Sequence, residues 1–417
     1  MVNKNSVRIL WALALVSVIS TGVARGQDVQ QPRATAPPNN PTEAGAMAAQ
    51  IGQMIGGAEF MLILDKPFEA EKLFGAILSM DPNNGYAKQG LDRVKVAKRP
   101  NWTFLVHPFT FPKFDQSMFT YGGGPSFYSK NLKSTFWIGD GWYKNDVDPN
   151  NPDNPLGFLG NIIGTADDKA LRKQTYNAIF EPYYKQFDGY FFLNRTIYQE
   201  APDRTLFYGR ATWNRQYGRE SYSLSGGQHD SYFQNDLAQF FAPESWTAVK
   251  QKILSREVGV AATHPVGKFI DTSASYQYFD YTDGNTRNMV RLQAMYRLRP
   301  GAGKQMPIFR VGLSYLYDDG DFAALYYYIP LDYHHVQISA DYTFVAGNTR
   351  YGIYGNVPVT GQSGTGFGRF NPPYTMYGFI NHKLNPKNEI WAKYAGLSIK
   401  DNGPAFGDWV FGFNTRF

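Results

Sequence analysis

From about Asn101 to the end of the chain, apolar and polar side chains alternate with a period of two. Val290, Leu292, Ala294, Tyr296 and Leu298 interleave with Arg291, Gln293, Met295, Arg297 and Arg299. Ile270, Thr272, Ala274, Tyr276 and Tyr278 do the same with Asp271, Ser273, Ser275 and Gln277. Phe309–Tyr317 and Val336–Phe344 repeat the pattern, with Arg310, Gln337 and Asp341 on their polar sides. Successive side chains of a strand point to opposite faces, so each run predicts a strand with one apolar and one polar face. The runs are broken by Asp283-Gly284-Asn285, Asp318-Asp319-Gly320, Gly347-Asn348 and Asn385-Pro386-Lys387, which read as turns of an antiparallel array. Strands of about ten residues fit a transmembrane β-barrel better than a sandwich, whose strands are nearer five or six.

Parity bounds the strand number. A periplasmic N-terminal segment and a final strand that ends in the periplasm require an even total. Thirteen candidate strands lie between about Phe187 and Phe417, and three more, at 102–111, 117–128 and 132–142, bring the barrel to about sixteen, with fourteen as the alternative. This count leaves 143–186 as an outer connection and 226–254 as a periplasmic one, with helical fragments at Ala166–Tyr184 and Pro243–Arg256. So long a periplasmic connection is unusual: either it folds into the pore or one strand is miscounted.

Before Asn101 the period changes. Lys4 and Arg8 precede the mostly apolar run Ile9–Ser20, and Ala24 and Gly26 stand at the small-residue positions of a cleavage site. Residues 1–26 therefore read as a secretory signal peptide. The polar, Pro-rich stretch 27–45 reads as a flexible linker. A helical module spans 46–98, with helices expected at Met47–Leu64, Pro67–Met80 and Tyr86–Lys98.

Ile51–Asn84 resembles one tetratricopeptide repeat: Met54, Gly57, Ala58 and Met61 occupy the first-helix positions, and Ala70, Phe74 and Pro82 those of the second helix and exit turn. An ordinary helical hairpin is the alternative. A lone repeat cannot bury its own face well, so it is expected to dock on the rest of the chain, a second copy or a partner. Met54, Met61, Phe74 and Tyr86 are the candidate docking residues. The C-terminal strand, with Trp409, Phe411, Phe413 and Phe417 on one face, resembles the β-signal by which the barrel-assembly machinery handles bacterial outer-membrane proteins. Thr415 departs from the aromatic usual two residues before the end.

Composition agrees and excludes other classes. Aromatic residues make up 16% of the 417, charged residues only 18%, and there is no cysteine. Disorder over most of the length, disulfides and thiolate metal sites are thereby excluded. No mature segment has the ~20 apolar residues of a spanning helix. The net charge of +6 is spread without a Lys/Arg block, which argues against nucleic acid as partner.

The polar faces nominate pore-lining residues: Arg210, Asp271, Gln277, Arg291, Gln293, Arg297, Arg310, Asp341, Arg350, Glu389, Trp391 and Lys393. An enclosed excess of positive charge favours anionic solutes, and aromatic rings offer stacking surfaces to sugars. The structural alternative is an Arg/acid ladder that satisfies itself. Gly122-Gly123-Gly124 reads as a turn, and Tyr217, Tyr222 and the Gly226-Gly227 stretch read as turn elements, with glycan contact as the alternative.

The order of signal, linker, tetratricopeptide-like helices and C-terminal barrel resembles the outer-membrane exopolysaccharide export porins of the cellulose and poly-N-acetylglucosamine type. The stretch Asp321–Tyr342 looks like that family's paired strands with an aromatic-Pro turn. The resemblance implies a sixteen-stranded polysaccharide channel in the outer membrane, with its helices in the periplasm contacting synthase components. The family carries long repeat arrays, and here there is one repeat. A general diffusion porin for small anionic solutes and a plugged barrel serving as an envelope scaffold are the alternatives. Dispersed histidines and the lack of any catalytic motif in a usable context argue against an enzyme, and no cofactor or metal is expected.

Overall fold

The structure is a computed structural model. It describes residues 41–417 except for 64, 112–115, 146–170, 185, 216–219, 231–245, 268, 300–307, 323–330, 365–373 and 399–403. The signal segment 1–26 and most of the linker lie outside the described residues, as does much of the Asp321–Tyr342 stretch.

Three helices come first: α1 (Pro41–Ile63), α2 (Pro67–Met80) and α3 (Gly85–Ala97). Helix α1 thus begins inside the stretch read as linker. Pro67 opens α2, where its missing N–H costs nothing. Asn84 caps α3, its side-chain oxygen accepting from the Ala87 N–H at 3.0 Å. The three helices close on Ala58, Ala70, Phe74, Ile77, Ala87 and Val94, all fully buried. Gly90 is needed there, because a Cβ would enter the Phe74 ring.

Sixteen strands follow: β1 (Asn101–Phe111), β2 (Gln116–Ser129), β3 (Leu132–Asn145), β4 (Leu171–Tyr184), β5 (Phe187–Tyr198), β6 (Arg204–Arg215), β7 (Glu220–Asp230) and β8 (Leu254–Val266) make the first half. The second half is β9 (Ile270–Tyr281), β10 (Thr286–Arg299), β11 (Ile308–Gly320), β12 (Leu331–Ala346), β13 (Thr349–Gly364), β14 (Tyr374–Lys383), β15 (Asn388–Ser398) and β16 (Pro404–Arg416). Each strand pairs antiparallel with its neighbours in sequence, and β1 pairs β16, so the barrel is closed and has no free edge. A five-residue helix, α4 (Trp246–Lys250), precedes β8.

The total of sixteen agrees with the alternation, but two local expectations fail and cancel. Leu171–Tyr184, read as part of a helical outer connection, is strand β4. Twelve strands, not thirteen, run from Phe187 to the end. The shift moves the 231–253 connection to the end of the barrel opposite the helices, not the same end. Three supposed turns are also strand. Gly122–Gly124 runs through β2, where a Cβ on Gly122 or Gly124 would strike the backbone of β3. Gly226-Gly227 lies in β7, and Asp318–Gly320 in β11.

The two ends differ. At the helical end the connections are short, such as Lys130-Asn131 and Gly347-Asn348. The long ones, 146–170 and 231–253, lie at the far end. The outer face is apolar and bare, with Ile138 62% and Leu224 59% exposed. No helix among the described residues is long and apolar enough to cross a membrane; a barrel of this kind crosses with its strands.

Candidate functional site

Alternation and register place all twelve candidate lining residues on the inner face of the wall, and most cluster near the helical end. Arg297 Nε donates to Asp271 at 2.6 Å, and Arg310 reaches the same carboxylate at 3.6 Å. Arg310 also forks onto Asp341, with Nε–Oδ2 at 2.8 Å. These two arginines and two aspartates form a self-neutralising network across β9–β12.

Three of the four remaining cations lie against rings. Arg210 is 6.0 Å from the Tyr190 ring, Arg350 is 5.2 Å from Phe379, and Lys393 is 5.3 Å from Trp391. Gln293 donates to the Tyr354 hydroxyl and Gln277 to Glu257, while Arg291 and Glu389 share the same face. Arg299 closes β10, with its side chain outside the described residues.

The turn between α1 and α2 is seated on the inner rim of this mouth. Asp65 accepts from the Tyr128 hydroxyl at 2.8 Å and pairs with Lys133 at 2.7 Å, and Lys133 also reaches Glu181 at 3.1 Å. Lys66 pairs with Asp188, whose other oxygen accepts from Asn214. Two adjacent residues of the helical module therefore hold three strands, β2, β3 and β5, and Glu181 of β4 and Asn214 of β6 join the same networks through Lys133 and Asp188. Asp65 adopts a left-handed conformation, with φ of 58°, so the chain reverses tightly there. The proposed docking residues look elsewhere. Phe74 is fully buried in the module's own core, and Met54, Met61 and Tyr86 pack against that core.

The far mouth is crossed from inside. Arg204, on β6 and fully buried, donates to the carbonyls of Ala248 at 2.8 Å and Val249 at 2.6 Å, the end of α4. A guanidinium is favourable at a helix C-terminus, where carbonyls lack intrahelical partners. Ala248 and Ile253 then pack on inward-facing Phe279, Tyr281 and Met289. The segment 246–253 is a strap laid into the barrel, as one of the two explanations of the long connection anticipated. Beside this cluster Arg287, its guanidinium 5.6 Å from the Phe279 ring, and Asp318 form a buried two-point ion pair, with bonds of 2.7 and 2.6 Å.

The inner face of β1–β6 is of another kind. Leu105, Met118, Trp137, Phe192 and Leu206 are buried there, around a cavity with 30 Å³ of room for water that also holds Lys173, Thr120, Asn177 and Tyr198. Lys173, Arg204, Arg287 and the Asp65-Lys66 turn are the residues that alternation did not nominate. Lys173 sits on the strand mistaken for a helix, and Asp318 in a supposed turn. Trp409, Phe411, Phe413 and Phe417 share the outer face of β16 and its end, with Trp409 and Phe411 stacked at 5.8 Å. Among the described residues no cluster of ligating side chains could hold a metal ion.

No family model and no curated protein matches the chain. Its neighbours among solved structures are outer-membrane β-barrels. A bacterial polysaccharide outer-membrane secretin aligns over 77% of this chain and 99% of its own at 9% identity, with a TM-score of 0.49. OccK2 of Pseudomonas aeruginosa, solved in complex with glucuronate, aligns over 76% and 96% at 8% identity, TM-score 0.33. OpdK of the same organism aligns over 76% and 98% at 8% identity, TM-score 0.35.

Proposed function

We propose that the protein is an outer-membrane channel that exports a polysaccharide, with its helical module in the periplasm at the entry mouth. The observation that carries this reading is the Asp65-Lys66 turn seated on the inner rim of the mouth with the short connections. Short connections characterise the periplasmic end of such barrels. A passive diffusion pore has no use for a folded module held in its entrance by ion pairs, whereas a one-way export path does. Arg210, Arg350 and Lys393, each against an aromatic ring, provide charge and stacking surface along the path that a sugar chain would take. The outer face of β16 supports recognition by the assembly machinery, and the exposed exterior supports contact with lipid. Contact between the module and synthase components is part of the same reading.

The test is single-channel conductance of the refolded full chain in a planar bilayer, alone and as Arg204→Met, with oligosaccharides added from either side. The expected result is a small or closed current that opens when the strap is released and is then blocked by glycans. A large current in the unmodified protein, indifferent to sugars, would favour a general porin. The strap held by Arg204 is the observation behind the scaffold reading, and a barrel that stays closed in both forms would support it.

A further inference from the structure

On the apolar side of the wall Lys173 has no carboxylate partner among the described residues. Lys173 is 8% exposed, and among the described residues its Nζ donates only to the thioether of Met118, at 3.0 Å. A thioether is a weak acceptor, and an ammonium held away from water without a counter-charge is costly. The cavity lining contains no aspartate or glutamate. His107, also in the lining, is engaged by Asp408 at 2.5 Å, so that carboxylate is committed elsewhere.

Two further polar groups in the lining are buried and lack partners among the described residues: the Thr120 hydroxyl and the Asn177 side-chain nitrogen, on residues each 5% exposed. The orientation of Asn177 is set by a chain of hydrogen bonds. Thr196 donates to the Asn194 oxygen at 2.9 Å, and the Asn194 amide donates to the Asn177 oxygen at 2.6 Å. With its oxygen occupied, Asn177 has only N–H left to offer. Buried donors without acceptors are rare in folded proteins because each forfeits its hydration. Here a cation and two such donors line one cavity.

We propose that this cavity is a binding site for the carboxylate group of an acidic solute. One positive charge matches one carboxylate, and the amide and hydroxyl supply hydrogen bonds to its two oxygens. The cavity has about 30 Å³ of room, on the scale of a small polar group. A sugar acid and a short organic acid share this group, and the site asks only for the group. The proposal stands whether or not the barrel conducts.

The experiment is equilibrium binding to the refolded full chain in detergent micelles, read by saturation-transfer NMR with acetate, glucuronate and neutral glucose as probes. Saturable binding of acetate is expected, with glucose silent. Competition by glucuronate would identify a sugar acid, and its failure to compete a short acid; both outcomes keep the site. Lys173→Met and Asn177→Asp should each weaken acetate at least tenfold, the second by placing a carboxylate beside the lysine. Lys173→Arg should retain binding, and heat-shifted gel migration would show that each variant is folded. No saturable binding of acetate to the folded protein, or binding undiminished in both Lys173→Met and Asn177→Asp, would overturn the proposal.

Discussion

The two sides of the barrel wall obey the same alternation and do opposite things with it. On β1–β6 the inward positions include Leu105, Met118, Trp137, Phe192 and Leu206, packed and buried like a protein core. On β9–β15 they include Asp271, Arg297, Arg310, Asp341 and Arg350, an ion-pair network with stacked cations beside it. Period two tells which side chains share a face, but what that face meets depends on what fills the barrel. Where the interior is closed by side chains, inward residues are apolar; where charges ring a mouth, they are polar.

The largest effect that can break this comparison is a cavity on the packed side. Trp137→Ala should lower the stability of the barrel by about 3–5 kcal/mol, the usual result of emptying a core aromatic site. Urea unfolding in lipid would measure it, and a loss below about 1 kcal/mol would mean that this side is wetted, not packed. Next comes the buried Arg287–Asp318 pair. Arg287→Ala leaves Asp318 charged and desolvated, with an expected cost of about 3–5 kcal/mol. The double variant Arg287→Met, Asp318→Leu should recover most of it, because the penalty belongs to the stranded carboxylate; no recovery on the same unfolding curve would place the cost in lost packing. The smallest effect on stability, and the sharpest on ions, is at the charged mouth. Arg310→Gln, in a site about one-third exposed, should change stability by no more than about 1 kcal/mol. It should shift reversal potentials in a conducting form toward cations, more strongly at low salt than at high. An unchanged reversal potential would remove the mouth from the ion path.

Most of the fold was legible because lipid demands an uninterrupted apolar exterior. Thus β9 to β12 stand out in the sequence as alternating runs. Strand β4 was not legible, since Ala178, Ile179 and Phe180 put apolar side chains on both faces and imitate a helix. Its inner face packs while its outer face meets lipid, so no alternation survives there. Lys173 was missed with it. Arg287 and Asp318 were missed for a different reason: Asp318-Asp319-Gly320 has turn chemistry, yet Asp318 is held in the strand by a guanidinium on β10. The Asp65-Lys66 contact depends on where a turn meets a barrel rim, and no local pattern carries that information. The same applies to Arg204 and the strap.

The seam between β1 and β16 has a kinetic consequence. Thr103 and Asn414, bonded across it at 2.8 Å, are 311 positions apart, and Phe417 donates its N–H to the carbonyl of Pro100. Every other strand pair can form between neighbours in sequence, but this one must wait for the whole chain, and loop closure over such a length slows it further. The helices before Asn101 are made first and joined directly to one lip of the seam. Closing the cylinder is thus the step that completes the rim on which the α1–α2 turn is seated, and the order of synthesis makes the helical module older than the mouth it contacts.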